Sequence, residues 1–140
     1  MSAVENKDLL RHFFIDLFNN GELDVVDEIV GLNYVNHNAM PGEMPGREGL
    51  KSFVSQLRFS FPDLQFTLEQ QLAEGDKVVT RWIASGTHQG DFLGIQATGK
   101  SLSISGTNIH RVSGGVIQEA WQDWDALGMM QQLGVIPVMG

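Results

Sequence analysis

Cysteine is absent from the 140 residues, which excludes disulfides, thiolate nucleophiles and cysteine-ligated zinc or iron–sulfur centres. Basic residues are scarce. Nine Lys and Arg stand against seventeen Asp and Glu, and a formal charge of −8 without any basic run would repel a phosphate backbone, so nucleic acid is not an expected partner. No stretch approaches the ~18 apolar residues of a membrane span, and Met1 to Asp8 lacks the basic and apolar regions of a secretion signal. A cytoplasmic location, away from membranes, is expected. Gly-x-Ser-x-Gly is missing, so a serine elbow has no support, and Gly86, Gly90 and Gly94 fall between strands rather than between a strand and a helix, unlike a phosphate loop. The four histidines and the carboxylates lack His-x-x-x-His or clustered Asp spacing, so no metal is expected.

What is present is a change of period. Leu10, Phe13, Phe14, Leu17 and Phe18 recur at helical spacing after Asn6, a candidate N-cap, and Gly21 ends the run. Leu23, Val26, Ile29 and Val30 give a second helical pattern, stopped at Gly31. Tyr34 to His37 reads as a short extended piece. Ala39 to Gly46, with Pro41, Gly42, Pro45 and Gly46, is an exposed loop with the composition of a lid. Helical spacing returns from Arg47 through Leu50, Phe53, Val54 and Leu57, and Pro62 closes it.

Beyond Pro62 the period falls to two. Leu64, Phe66 and Leu68 alternate with polar residues, Glu74-Gly75-Asp76 turns the chain, and strands follow over Lys77 to His88 and Ser101 to Val112. Ser113-Gly114-Gly115 is a tight turn into a last strand that runs to about Trp124. Asp125 can cap a final helix, Ala126 to Leu133, with Gly134 beyond it. Helices grouped before about four antiparallel strands predict an α+β class: one domain over residues 1–140, with N-terminal helices packed on a curved, mainly antiparallel sheet.

Alternation also suggests a site. Counting by twos puts Ile117, Glu119, Trp121 and Asp123 on one face of the last strand, and Asn108 and His110 on one face with Leu102 and Ile104. An acid, an imidazole and an amide would then converge on an apolar hollow, the usual makeup of a small-molecule pocket. Structural roles compete for most of these residues: Asp125 as a helix cap rather than the pocket acid, Arg81 paired with Glu119 or an aspartate, His110 as a hydrogen-bonded sheet histidine. His88, in a turn-like setting, is expected to be exposed, and His12 is expected on a helix surface.

Four segments carry a family likeness: Tyr34-Val35-Asn36-His37, Phe61-Pro62-Asp63, Gly86 through Gly94, and Glu119-Ala120-Trp121 leading into Leu127 to Gly134. In order along the chain they resemble the SnoaL-like polyketide cyclases of the nuclear transport factor 2-like superfamily. That resemblance implies a cone enclosing an interior pocket, and a cofactor-free intramolecular aldol closure of a polyketide ester with an aspartate of the final strand as acid/base. Asp123 is the expected match, with Asp125 competing. His110 is the expected catalytic partner, and Tyr34, Asn36, His37, Arg81, Glu119, Trp121 and Trp124 are the expected substrate contacts. The expected ligand is a small apolar carbonyl compound, and relatives imply a homodimer through the open sheet face. A non-catalytic binding or dimerisation module, or a hydrolase or isomerase of the same fold, is the competing expectation.

Overall fold

The computed structural model describes residues 2–138. Its first helix, α1 (Ala3–His12), starts one turn earlier than Asn6 suggested. Ser2 is the cap. Its hydroxyl accepts from the Glu5 N–H at 3.1 Å and the Glu5 carboxylate accepts from the Ser2 N–H at 3.1 Å, a reciprocal capping box. Asn6 lies inside the helix and is buried. Ser2→Ala is expected to lower unfolding stability by about 1 kcal/mol, the usual worth of a cap, read as a shift of the urea midpoint without change of slope.

From Phe13 to Asn19 the helix widens into π-helical turns. The widening brings Phe13, Phe14, Leu17 and Phe18 together into the core. Gly21, at φ +70°, reverses the chain. Asn19 then acts as a stand-in strand partner: its Oδ1 accepts from the Phe66 N–H at 2.7 Å and its Nδ2 donates to the Phe66 carbonyl at 3.0 Å. This pins the helix to the sheet.

After α2 (Val25–Ile29) comes β1 (Val30–Asn36), a longer strand than expected, which takes over Val30 and Gly31 from the second helical pattern. The helix α3 (Gly46–Ser60) precedes β2 (Gln65–Glu74), β3 (Lys77–Thr87), β4 (Ser101–Ser113) and β5 (Val116–Trp124), and α4 (Ala126–Gln132) closes the chain. The sheet order is β1-β5-β4-β3-β2; β1 runs parallel to β5 and every other pair is antiparallel. The α+β expectation stands as a mixed five-stranded sheet, open rather than closed, with helices over its inner face. No helix among the described residues is long and apolar enough to cross a membrane.

One irregularity decides which side chains look inward. Arg111 pairs with Glu119 and Val112 with Ile117, so Gln118 is an extra residue, a β-bulge. Ile117 is fully buried. Past the bulge the phase of β5 flips, so Ala120, Gln122 and Trp124 face the interior, paired with His110, Asn108 and Gly106. Glu119, Trp121 and Asp123 share the opposite face, against Arg111, Ile109 and Thr107.

Candidate functional site: an apolar cavity with two amides

The hollow of the cone is a cavity of about 80 Å³. Phe14 and Phe18 from the first helix, Phe53 and Leu57 from α3, Phe66 and Trp82 from β2 and β3, and Trp124 from β5 form much of its wall. Met40, on the loop expected to be a lid, and Met129, on α4, also border it. Both are unbranched thioethers that can swing, which a ligand larger than one ring requires at this volume. Ser85 borders the cavity but is itself exposed.

Two polar side chains of the sheet's inner face border the cavity, Asn108 and Gln122, cross-strand partners on β4 and β5. Asn108 is buried, and its Oδ1 accepts from the Trp82 indole N–H at 2.9 Å. Gln122 is held through its main chain, where the N–H donates to Asn38 Oδ1 at 2.7 Å and so extends the ladder begun by β1. Among the described residues no acid, histidine, lysine, arginine or tyrosine borders the cavity. Two neutral amides in a greasy wall can hold a carbonyl or hydroxyl and fix its direction.

The expected catalytic pair is not brought together. Asp123 is exposed on the outer face of the sheet and does not border the cavity, because the Gln118 bulge turns it out. His110 does face inward, but two residues beyond Asn108 on β4 and away from the cavity wall, packed edge-on against Phe13 at 5.0 Å and Phe14 at 6.0 Å. Neither ring nitrogen has a hydrogen-bond partner among the described residues, and burial pushes its pKa down to about 3. Asp125 caps α4, accepting from the Gly128 N–H at 2.8 Å.

The expected substrate contacts fall in four places. Trp124 borders the cavity. His37, Glu119 and Trp121 gather on the outer face instead: His37 stacks on Trp121 at 4.7 Å and donates from Nε2 to Glu119 at 2.7 Å, while the other Glu119 oxygen accepts from Arg111 Nε at 2.6 Å. The His37 hydrogen bond first, and then Arg111, hold the Glu119 carboxyl below the usual carboxylate range. Arg81 is also outward and pairs with Glu69 of β2 at 3.3 Å rather than with Glu119. Tyr34 is buried but does not border the cavity; burial, then the charge of Glu43, pushes its phenol up. Asn36 accepts from the Asn38 N–H at 3.0 Å and turns the chain after β1.

Gln122 and Met40 escaped the sequence reading, although Gln122 sits opposite Asn108, whose inward phase alternation did reveal. His88 is fully buried, contrary to its turn-like setting. Its main chain is clamped by Lys100 and Gly99 at 2.9 and 2.8 Å, and Nδ1 accepts from the Thr98 N–H at 3.2 Å. His12 meets expectation as a partly exposed helix residue, paired with Asp16.

Comparison with known proteins agrees with this architecture. The family model for SnoaL-like polyketide cyclase matches residues 8–133. Aklanonic acid methyl ester cyclase DnrD of Streptomyces peucetius is 31% identical over 131 residues, covering 91% of this chain and 89% of that protein. Nogalonic acid methyl ester cyclase of Streptomyces nogalater is 28% identical over 123 residues, covering 86% and 91%. The structure of TsrD from Streptomyces laurentii superposes with a TM-score of 0.89 at 29% identity, covering 97% of this chain and 99% of that one. A match of this extent places the chain in the family.

Proposed function

We propose, from the premise that this chain belongs to the SnoaL-like polyketide cyclase family, that it closes a ring in a neutral, apolar, ester-bearing carbonyl substrate without a cofactor. The observation that carries the reading is the pair Asn108 and Gln122, in register and facing a cavity whose wall is otherwise mainly apolar. In such an aldol closure a carbon beside one carbonyl loses a proton, attacks a second carbonyl, and the new alkoxide takes a proton. Atoms balance within the substrate, so product and substrate are isomers of equal mass.

The amides supply hydrogen bonds to the oxygen on which negative charge grows, an effect worth ~3 kcal/mol per well-placed donor in a water-poor site. They do not titrate. Deprotonation is assigned to water or hydroxide at the polarised carbonyl, since Asp123 stands outside the cavity. The rate is therefore expected to rise steadily with pH between about 5 and 9, instead of levelling above a carboxylate pKa of about 4 to 6. A plateau of that kind would return an acid to the mechanism.

Aklanonic acid methyl ester is a suitable trial substrate because a relative is named for it. Chromatography with mass detection should show an isomer of unchanged mass, formed in proportion to protein. Among the described residues no acid, histidine, lysine, arginine or tyrosine lines the cavity, which also favours a second reading, a binding module that holds such a ligand without converting it. Saturable binding with no isomer formed would select that reading.

Homodimerisation through the outer sheet face belongs to the same proposal. Val35, Leu72 and Ile109 are exposed on the strands that form it. Light scattering at micromolar concentration should give twice the chain mass; a monomer would contradict the dimer.

A further inference from the structure

We propose that Trp82 is a positioning residue: it fixes the Asn108 side chain so that the amide NH2, and not the amide oxygen, is offered to a ligand carbonyl. The inference rests on the carbonyl-holding role just assigned to Asn108. An asparagine amide can be rotated by half a turn with little change of shape, and only its surroundings decide whether a cavity meets a donor or an acceptor. Here the surroundings decide. The indole N–H is a donor and nothing else, so the atom 2.9 Å from it is the Asn108 oxygen, and Nδ2 points elsewhere. Nδ2 has no hydrogen-bond partner among the described residues and is not among the buried polar atoms sealed off without one. It belongs to a side chain that borders the cavity. Reversing the amide would set two donors against each other, Nδ2 of Asn108 against the indole N–H.

The indole is itself held in place. Trp82 lies opposite Gly106 across β3 and β4, and a Cβ at residue 106 would sit 2.1 Å from Cζ2 and 2.5 Å from Cη2 of the ring. Glycine there lets the indole lie across β4 and reach Asn108, two residues further along the same strand. On its other side Phe66 meets the ring edge-to-face at 4.9 Å and 62°. Trp82 is 4% exposed, so water does not compete for its N–H. Gly106, Trp82 and Asn108 thus form one device, in which a missing side chain on β4 sets the polarity of an amide on the same strand.

The test separates this role from the wall that Trp82 also provides. The probes are 1-tetralone, which has a carbonyl, and tetralin, the same bicyclic frame without one, with affinities measured by NMR titration of the full chain. Their ratio cancels changes in cavity shape, since both fill the same space. Trp82→Phe keeps an aromatic ring and loses the N–H. It is expected to lower the preference for the ketone by roughly tenfold, as Asn108→Ala does, and to lower it no further when combined with Asn108→Ala, because it acts through that residue. Gly106→Ala, which displaces the indole but leaves its N–H, should lower the same ratio and serves if Trp82→Phe does not fold.

An unchanged ratio in Trp82→Phe or Gly106→Ala, with Asn108→Ala still lowering it, overturns the positioning role and leaves the role of Asn108 standing. An equal drop in the presence and absence of Asn108 overturns it too. An unchanged ratio in Asn108→Ala, or no binding of either probe by the unaltered protein, removes the carbonyl-holding reading and this inference with it.

Discussion

Asn108→Ala is expected to lower the turnover of a cyclisable polyketide ester by about a hundredfold, whereas Asp123→Asn should leave it within about twofold. The asymmetry follows from where the two side chains stand. Asn108 borders the cavity with a donor to spare, buried where a hydrogen bond to a growing oxyanion is not shared with water. Asp123 is exposed on the far side of the sheet, opposite Thr107, and its charge is screened from the reacting atoms. Loss of one donor of this kind removes ~3 kcal/mol of transition-state stabilisation, which is the hundredfold. The two substitutions also differ in what they risk. Replacing Asn108 frees the Trp82 N–H in a buried place and should cost about 1 to 3 kcal/mol of stability, so folding is checked alongside the rate. A large loss of rate in Asp123→Asn at unchanged stability would contradict the inward phase assigned to β5.

The second large effect concerns acid stability. His110 is fully buried, has no hydrogen bond at either ring nitrogen among the described residues, and has its pKa pushed from an ordinary 6.5 to about 3 by burial. The unfolded chain therefore binds a proton at this residue below pH 6.5 that the folded chain refuses until about pH 3. The stabilising contribution is present in full above pH 6.5 and declines as the pH falls toward 3, by at most ~1.4 kcal/mol per unit. Between pH 6.5 and 4.5 the loss is on the order of 2 to 3 kcal/mol, a sizeable part of a typical domain's ~5 to 15 kcal/mol. Carboxylates with lowered pKa, such as Asp63 and Glu119, add to acid instability chiefly below that window. His110→Leu should keep the fold and flatten the dependence across it, as followed by urea midpoints at pH 7.5, 6.5, 5.5 and 4.5. Equal slopes in the two proteins would mean that His110 is protonated, or paired, in the folded state.

Much of the architecture was legible because the signals were local and repeated. Phe13, Phe14, Leu17 and Phe18 at helical spacing, Leu64, Phe66 and Leu68 at strand spacing, and the Ser113-Gly114-Gly115 turn each specify an element without help from distant contacts. The phase of β5 was not legible. A bulge shows itself in pairing and not in composition, and Gln118 looks like any other strand residue until Arg111 and Val112 are found opposite Glu119 and Ile117. Starting from buried Ile117 and counting by twos leads to Glu119, Trp121 and Asp123, the wrong face for a pocket. The parity of β4, which lacks a bulge before Arg111, was read correctly, and with it the inward direction of Asn108 and His110. His88 was missed for a different reason. Its flanking glycines resemble a surface turn, and it is buried by distant parts of the chain, the returning segment at Thr98 to Lys100 and the Phe61 ring.

The segments that carry the family likeness have physical work apart from chemistry. Asp63 accepts from the Thr87 N–H and hydroxyl at 2.7 and 2.8 Å, which ties the end of α3 to the end of β3. A Cβ at Gly90 would meet the Phe59 carbonyl at 2.8 Å, and the Gly90 and Gln89 N–H groups both donate to the Ser60 carbonyl. These contacts fix Phe61 and Phe92 in the cavity wall. They explain why such residues accompany the fold whatever is bound inside it.

The most direct measurement is a crystal structure of the protein with 1-tetralone bound. The ketone is expected within the cone, its oxygen about 2.8 to 3.2 Å from Asn108 Nδ2, with the Asn108 oxygen still on the Trp82 N–H and Asp123 turned to solvent. A ketone oxygen directed away from both amides, or a carboxylate found against the ligand, would contradict it.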